Sequence, residues 1–414
     1  MEYRIDTPKN VNFIIKLLER EGYEAFAVGG CVRDALMGNE PQDWDITTSA
    51  APLDVKKIFH KTIDTGLQHG TVTVMLEHVG YEVTTYRIDG TYSDGRHPDE
   101  VKFTKNLVED LKRRDFTINA MAYNPKTGIV DEFDGVGDLE RKLIKCVGNP
   151  KERFTEDALR MLRAVRFAAK LGFAIEENTA KAITDMAENI SKVSKERIHS
   201  ELDKLVTSNN PHILKYVYTL GLDKFIIPNA TLKNEEQYDN VINVMKCMKP
   251  DHYLRWAAFM MYEGENAKSV LKTLKFDNKT LNICDKLVNS IDYFKDYDQI
   301  EEKKYHIKKL IVSIGEEIFA DYYLAFMEAI IKAKMSDLNE NILNDIRNLY
   351  QQIKNDGDCI SKENMVLKGN ELKALGVEPG KVMGEVINKM FDEILKDPSM
   401  NDRDKLIDYL KLSS

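Results

Sequence analysis

The sequence is constrained most strongly by one stretch near its beginning, where two glycines separate a predicted strand from a predicted helix. Residues 23–28 are rich in aromatic and β-branched side chains, which predicts a strand. Gly29 and Gly30 follow, and glycine allows a backbone to turn sharply and to approach a ligand closely. Residues 32–37 then have helical character, and the helix is expected to end at Gly38. Because the free N–H groups at a helix start attract anions, this order of elements predicts a phosphate site.

Charged side chains next to this turn indicate what chemistry it serves. Arg33 lies in the predicted helix and would add a forked cationic donor to the phosphate site. Asp43 and Asp45 lie two residues apart, so in a strand they would point to one face. Two adjacent carboxylates repel each other unless a cation lies between them, and their oxygens suit Mg²⁺. The stretch therefore predicts a magnesium-dependent nucleotidyl transfer centre, and the alternative is a polar turn with solvated acids.

Two further motifs follow in order along the first half of the chain. They are RRDFTIN at residues 113–119 and EDALRMLR at residues 156–163. Together with the glycine stretch they resemble the nucleotidyltransferase superfamily of DNA polymerase β, and within it the bacterial (class II) tRNA nucleotidyltransferases, or CCA-adding enzymes, and bacterial poly(A) polymerases. The resemblance implies an α+β fold, in which an N-terminal polymerase β-like nucleotidyltransferase mixed sheet with helices is followed by an elongated all-α C-terminal half.

The length and the change in pattern along the chain indicate several domains. A chain of 414 residues is too long for one ordinary core. Strand signals become rare after about residue 150, and apolar residues then recur three and four apart. We predict a catalytic domain at 1–148, a helical base-recognition domain at 149–210, a helical body at 211–335 and a helical tRNA-binding tail at 336–414.

The composition, with 43% hydrophobic and 31% charged residues, is typical of a soluble globular protein. No apolar run has the length of a membrane span, and the first residues form no apolar signal region. Five scattered cysteines indicate a reducing compartment and argue against disulfides or a zinc site. The net charge of −9 alone argues against a nucleic-acid partner, but a local basic surface is sufficient to bind phosphates. We therefore predict a cytoplasmic protein without membrane contact, and the oligomeric state stays open.

A predicted hairpin supplies a third acidic candidate. Residues 69–76 and 81–87 alternate between apolar and polar side chains, which predicts two strands. The superfamily often takes a third carboxylate from a neighbouring strand, so the resemblance makes Glu82 the candidate, and the alternative is an exposed strand acid. The next segment, residues 89–98, is dense in turn formers. In the family this position holds a flexible loop that helps switch specificity from CTP to ATP, and enzymes that add only the two cytidines lack it.

The second motif predicts a sugar site. Residues 110–122 predict a helix, in which Asp115 and Asn119 would lie four residues apart on one face. A carboxylate and an amide together accept from and donate to sugar hydroxyls. The resemblance assigns Asp115 to the ribose and Arg114 to the nucleotide, which would separate ribonucleotides from deoxyribonucleotides. The alternative is a helix end with an ion pair.

The third motif predicts a site that selects the base. Residues 155–170 predict a capped helix, in which Asp157 and Arg160 would be neighbours on one face. Asp157 would accept from the exocyclic amine of cytosine or adenine, and Arg160 would donate to a ring acceptor. Guanine and uracil present a carbonyl at this position and would leave both groups unpaired. Arg163 and Arg166 would support the pair or bind the triphosphate. The resemblance assigns Asp157 and Arg160 this role, and the alternative is a surface helix with ion pairs.

The end of the chain contains a candidate RNA surface. Residues 366–381 contain two glycine-marked turns, and their lysines are suited to a phosphate backbone. We predict that Lys368, Lys373 and Lys381 contact the acceptor and T arms of tRNA by shape. The alternative is a helical cap with solvated lysines.

These predictions combine into one reaction. We predict a tRNA nucleotidyltransferase that adds C, C and A from CTP and ATP without a nucleic-acid template, by attack of the RNA 3′-hydroxyl on the nucleotide α-phosphate. Asp43 and Asp45 would hold Mg²⁺, and Glu82 would be the third catalytic acid. The predicted nucleotide-binding residues are Gly29, Gly30, Arg33, Arg114, Asp115, Asn119, Asp157, Arg160, Arg163 and Arg166. The alternatives are addition of the terminal A alone, poly(A) synthesis, and an RNA-binding module with the same fold but no catalysis.

Overall fold

The computed structural model describes residues 3–90 and 100–413 of the chain. Most of the predicted loop at 89–98 therefore lies outside the described residues. The chain forms two compact units, of which the first runs to Asn229 and also contains Lys233–Tyr238. The second contains Ala230–Leu232 and the described chain from Asp239 onward. This division does not separate 1–148 from 149–210 or the body from the tail, so the four domain boundaries stay a prediction.

The first unit contains all the strands of the described chain. They are β1 (Ala25–Val28), β2 (Ile46–Thr48), β3 (Thr62–Gly66), β4 (Thr71–Leu76), β5 (Val79–Thr85), β6 (Arg87–Asp89), β7 (Val101–Phe103), β8 (Ala122–Asn124), β9 (Gly128–Val130), β10 (Leu143–Ile144) and β11 (Ala174–Ile175). Seven of them form a mixed sheet in the order β3-β4-β5-β2-β1-β8-β9. Its β2–β5 pair is parallel and its other neighbours are antiparallel.

Helices cover this sheet and continue beyond it. The helices of the first unit are α1 (Lys9–Arg20), α2 (Gly30–Leu36), α3 (Pro52–Ile58), α4 (Leu107–Lys112), α5 (Gly135–Arg141), α6 (Pro150–Glu156), α7 (Leu159–Leu171), α8 (Glu177–Met186), α9 (Lys195–Val206), α10 (Lys215–Thr219) and α11 (Asp223–Ile226). The apolar side chains of α1 recur three and four apart, so one face is buried in a core shared with the sheet. That core holds the strands that carry the candidate site.

The second unit is helical throughout its described part. α12 (Glu235–Lys246) crosses the division, and α13 (His252–Phe259), α14 (Ala267–Thr273), α15 (Asn278–Val288), α16 (Lys303–Ile314), α17 (Glu316–Ile318), α18 (Leu324–Lys332), α19 (Glu340–Asp356), α20 (Gly369–Ala374), α21 (Lys381–Lys396) and α22 (Arg403–Ser413) follow. A sheet-containing first part followed by helices confirms the predicted α+β class. Of the helices in the described residues, none is both long and apolar enough to cross a membrane.

Candidate nucleotide-binding and catalytic site

The turn between β1 and α2 requires glycine for two reasons. Gly29 has a φ of 81° and a ψ of −127°, a conformation that side-chain-bearing residues rarely adopt. In addition, a Cβ at Gly29 would lie 2.8 Å from Nη1 of Arg114. Gly30 begins α2, and a Cβ there would lie 3.6 Å from Nη2 of Arg33. The predicted strand, glycine turn and helix are therefore present. Because Gly29 has no side chain, the guanidinium of Arg114 can pack directly against the backbone of the turn.

Asp43 and Asp45 lie just before β2, and so outside the strand itself. Asp45 nevertheless continues the strand pairing, because its carbonyl accepts the N–H of Val28 at 3.0 Å. Trp44 between the two acids is buried with 9% of its surface exposed, whereas both acidic residues are exposed. This alternation of exposure indicates that the two acids lie on the side opposite Trp44.

Glu82 joins these acids from the neighbouring strand. The register pairs Ile46 of β2 with Val83 of β5 in parallel, which makes Glu82 the lateral neighbour of Asp45. Protein atoms crowd the Asp45 carboxylate and raise its pKa, and the charges of Glu82 and Asp43 raise it further while Arg114 lowers it. The acids are therefore close enough to repel one another. Within residues 3–90 and 100–413, no group of three or more His, Cys, Asp or Glu residues is arranged to hold a metal ion.

Arg114 lies between the glycine turn and the acids. Its Nη2 is 3.7 Å from Oδ2 of the buried Asp110. Its Nε is buried and has no hydrogen-bond partner in the described part of the chain. Burial lowers the pKa of this guanidinium, while the charges of Asp110 and Asp45 oppose that shift. An unsatisfied buried donor costs about 1–3 kcal/mol, so this guanidinium is suited to a ligand that brings acceptor oxygens.

The RRDFTIN segment does not form the predicted helix. α4 ends at Lys112, and only Thr117–Asn119 form a short 3₁₀ turn. The reason is local, because Oδ1 of Asp115 accepts the N–H of Phe116 at 2.8 Å and the side-chain amide of Asn119 at 3.1 Å. Such bonds compete with those of a helix. The turn still brings Asp115 and Asn119 together, as the predicted sugar site requires.

Each member of this pair is held by an arginine. Arg163 donates to Oδ2 of Asp115 from Nε at 3.0 Å and from Nη2 at 2.6 Å. Arg33, which is 3% exposed, donates from Nη1 to Oδ1 of Asn119 at 2.6 Å. Burial alone would raise the pKa of Asp115, but the ion pair with Arg163 and the amide of Asn119 bring it to about 2. Asp115 is therefore ionised and fixed in place.

The predicted base-selecting helix is broken at Asp157. α6 ends at Glu156, Asp157 has an extended backbone with a φ of −148°, and α7 begins at Leu159. The carboxylate of Asp157 accepts the N–H of Leu159 at 3.0 Å, which satisfies a free donor at the start of α7. The break turns the Asp157 side chain away from the position that an uninterrupted helix would give it.

The side chains of Asp157 and Arg160 each have other charged partners in the structure. Asp157 accepts Nη2 of Arg197 at 2.7 Å and Nη1 at 3.3 Å, and Arg197 lies on α9. Arg160 donates to Oε2 of Glu156 at 2.5 Å and to the carbonyl of Arg113 at 3.2 Å. Arg197 was not among the predicted site residues, because the 40 residues that separate it from Asp157 leave no local signal in the sequence.

Half of the ten predicted binding residues nevertheless line one cleft. The cleft has a volume of about 300 Å³ and is lined by Arg113, Arg114, Asp115, Asp157, Leu159, Arg160, Arg163 and Arg197. Asn119 donates to Asp115 of this lining, Arg33 donates to Asn119, and Gly29 lies against Arg114. Arg166 is placed differently, since it forms an ion pair with Glu201 of α9. A cleft with several fixed guanidinium and carboxylate groups suits a phosphorylated ligand with a polar base.

Known proteins match the chain over nearly its whole length. Three family models match, namely the poly A polymerase head domain at residues 25–145, the probable RNA and SrmB-binding site of polymerase A at 172–233, and the putative tRNA nucleotidyltransferase domain 2 at 250–410. The CCA-adding enzyme of Ligilactobacillus salivarius is 36% identical over 426 aligned residues, which cover 96% of this chain and 95% of the relative. The chain belongs to the CCA-adding enzyme family.

Other members of the family agree with this assignment. The CCA-adding enzyme of Lactobacillus delbrueckii subsp. bulgaricus is 55% identical over 192 residues, which cover 46% of this chain and 48% of the relative. The crystal structure of the Bacillus stearothermophilus CCA-adding enzyme in complex with CTP matches with a TM-score of 0.75 and 29% identity, covering 97% of this chain and 96% of that one. The predicted family is confirmed, and the chain is a nucleotidyltransferase.

Proposed function

We propose that this chain adds C, C and A to the 3′ end of tRNA from CTP and ATP without a nucleic-acid template. The RNA 3′-hydroxyl attacks the α-phosphorus of the nucleotide, and pyrophosphate leaves. The observation that carries the proposal is the position of Arg114, which lies against Gly29, interacts with the charge of Asp45 and lines the same cleft as Asp157. The groups suited to phosphate, to a cation and to a base therefore surround one arginine.

The acids fit a divalent cation. The pKa of Asp45 is raised partly by like charges, so a cation placed beside it would relieve a repulsion that the protein leaves in place. Mg²⁺ commonly uses one or two carboxylates and completes its coordination with water and substrate phosphates. Asp43 and Asp45 would hold it, with Glu82 alongside. When bound, Mg²⁺ would offset the charge of the phosphates and favour ionisation of the attacking hydroxyl.

The nucleotide is held by groups that are already in place. Arg114 lines the cleft and donates to the triphosphate through its guanidinium. Asp115, whose pKa is about 2, stays ionised and keeps lone pairs for a sugar hydroxyl beyond those used by Arg163 and Asn119. The CTP bound by the Bacillus stearothermophilus enzyme supports CTP as one substrate.

The base is selected by side chains that line the cleft. Asp157 accepts from the exocyclic amine of cytosine or adenine, and Arg197 orients its carboxylate through two hydrogen bonds. Arg160 donates to the ring after releasing one of its present partners, Glu156 or the carbonyl of Arg113. A guanine or uracil carbonyl opposite Asp157 costs about 1–3 kcal/mol, which is roughly 5- to 150-fold in affinity.

The proposal extends to the partner RNA and to the compartment. Lys368, Lys373 and Lys381 are exposed, which supports contact of the tail with the backbone of the acceptor and T arms. The five cysteines are free thiols, which supports a reducing cytoplasm.

The test is incorporation of labelled CTP and ATP into a tRNA that lacks its terminal CCA. The proposal expects two cytidines followed by one adenosine and then a stop. Adenosine added only to a tRNA that already ends in CC would indicate the A-adding activity, and long adenosine tracts would indicate poly(A) synthesis. Binding of the tRNA without incorporation would indicate the non-catalytic module. Any of these three results would overturn the proposal.

A further inference from the structure

Phe167, on α7, lies at the centre of three guanidinium groups. The Cζ atom of Arg166 is 3.9 Å from the ring centroid, that of Arg33 is 5.3 Å away and that of Arg163 is 5.4 Å away. The ring is 6% exposed, and Phe116 packs against it with its edge at a centroid distance of 5.7 Å. The sequence pattern marks Phe167 only as one more apolar side chain of α7, so its surroundings are visible only in the structure.

Two of these arginines form hydrogen bonds with the predicted sugar site. Arg33 donates to Asn119 at 2.6 Å, and Arg163 donates to Asp115 at 2.6 Å. Asn119 in turn donates to Asp115 at 3.1 Å. The contacts therefore form a closed ring of five side chains, in which Phe167 is the only member that carries no polar group.

A neutral aromatic member has a physical role in such a ring. The face of a benzene ring attracts cations, with a typical contribution of about 0.5–1 kcal/mol at exposed sites and about 2 kcal/mol where water is excluded. Arginine side chains have many rotamers, and a stacking surface reduces this freedom before the hydrogen bonds form. Packing on Phe167 therefore fixes the direction in which Arg33 and Arg163 approach Asn119 and Asp115. A fixed supporting shell is what holds a binding pair at the required geometry.

We propose that Phe167 is a positioning residue for sugar selection. Through Arg33 and Arg163 it holds Asn119 and Asp115 in the geometry that accepts the ribose of the incoming nucleotide. The inference rests on the proposed function, because it takes the Asp115–Asn119 pair as the group that contacts the sugar. If Phe167 has this role, its substitution changes the choice between CTP and dCTP and the KM for CTP more than it changes kcat.

The experiment compares three variants in single-nucleotide incorporation into a tRNA that lacks CCA. Phe167→Leu keeps an apolar side chain and removes the ring face, so the preference for CTP over dCTP is expected to fall about tenfold and the KM for CTP to rise by a similar factor. Phe167→Tyr keeps the ring and is expected to stay within about threefold of the wild type. Phe154→Leu is the matched control, because Phe154 is fully buried on the neighbouring helix and no cation lies over its ring in the described chain.

The outcomes separate this inference from the proposed function. Failure of the wild-type chain to incorporate CTP would reject the proposed function itself. Incorporation by the wild type together with an unchanged CTP preference in folded Phe167→Leu would overturn only the role of Phe167, as would an equal loss in Phe154→Leu. If Phe167→Leu does not fold, 3,4,5-trifluorophenylalanine at position 167 keeps the shape and weakens the ring face. The same fall in sugar preference is expected from it, and an unchanged preference would overturn the inference.

Discussion

Two groups of charged residues in the first unit are organised in opposite ways. The acidic residues Asp43, Asp45 and Glu82 are exposed. The carboxylates of Glu82 and Asp43 contribute to the raised pKa of Asp45. In the cleft, by contrast, Asp115 is paired with Arg163 and has a pKa of about 2, and Asp157 is paired with an arginine from α9. The cleft is balanced by its own arginines, whereas the acids are best balanced by a cation that arrives with the substrate. The contrast is the one that the proposed function requires between a site for chemistry and a preorganised site for recognition.

The largest effect is expected from Asp45→Asn, which tests the first half of this contrast. Loss of one metal-binding charge is expected to lower incorporation of CTP at least about a thousandfold, because a bound metal lowers such barriers by several kcal/mol. The free energy of unfolding should be unchanged or slightly higher at pH 7. The pKa of Asp45 is raised in the folded state, so its carboxylate disfavours folding above that pKa. Turnover and urea unfolding measure the two quantities.

A matched control for this variant is Asp54→Asn, which removes a half-buried acid of α3 that pairs with the exposed Lys57. It is expected to leave both turnover and stability close to the wild type. Turnover of Asp45→Asn within about tenfold of the wild type would contradict the assignment of Asp45 to the reaction.

Asp115→Asn tests the cleft, where acids are paired with arginines, through its effect on the free energy of unfolding. The folded pKa of about 2 lies below the ordinary value of 3.8, so Asp115 contributes stability above pH 4 that is lost as the pH falls towards 2. The variant should lose about 2 kcal/mol of unfolding free energy at pH 7 and show a flatter pH dependence between pH 4 and 2. Chemical unfolding between pH 2 and 7 measures the free energy of unfolding of both proteins. Asp185→Asn, at an exposed acid, is the control. Parallel pH profiles for wild type and Asp115→Asn would reject the strong Arg163 pairing.

Asp157→Ala probes recognition in the same balanced region. Loss of the acceptor should reduce the preference for C and A over U and G about tenfold or more, while the KM for the triphosphate changes little. Competition among all four nucleotides measures this preference. Asp185→Ala removes a surface acid that pairs with Lys151 and should leave the preference intact. An unaltered preference in folded Asp157→Ala would exclude Asp157 from base selection.

The smallest effect is expected where the two regions meet, at Gly29. Gly29→Ala places a Cβ 2.8 Å from Nη1 of Arg114 and should raise the KM for CTP about fivefold, in addition to backbone strain of about 1–2 kcal/mol. Gly38→Ala is a close control, since its φ is 76° and a Cβ there has no atom within 4 Å. It should show backbone strain from its positive φ and an unchanged KM. Equal KM changes in the two variants would show that Arg114 is not the cause.

The sequence was informative where a local pattern determines the structure. The strand, the glycine turn and α2 follow from residue types that stand next to one another, and Trp44 between two acids follows from simple alternation. Family resemblance added the grouping of Arg114, Asp115 and Asp157, which the cleft contains. These parts depend on spacings of a few residues, so one sequence is sufficient to predict them.

The failures have a common physical cause. Two predicted helices end or break beside an aspartate, because Asp115 and Asp157 each accept a backbone N–H from a residue just after them. The spacing of apolar residues gives no indication of such a bond. Arg197 was not selected because its partner lies 40 residues away, and Phe167 was not selected because its three arginines come from two separate elements. Contacts between distant segments are fixed by tertiary packing and have no local pattern.

The central claim is that the unbalanced acids form a cation site that the nucleotide completes. The most direct measurement is titration of the chain with Mn²⁺, followed by electron paramagnetic resonance, with and without a non-reactive CTP analogue. We expect binding that tightens when the analogue is present, is lost in the Asp43→Asn, Asp45→Asn double variant and is retained in Asp157→Ala. Mn²⁺ binding that is the same in the double variant and in the wild type would contradict the claim.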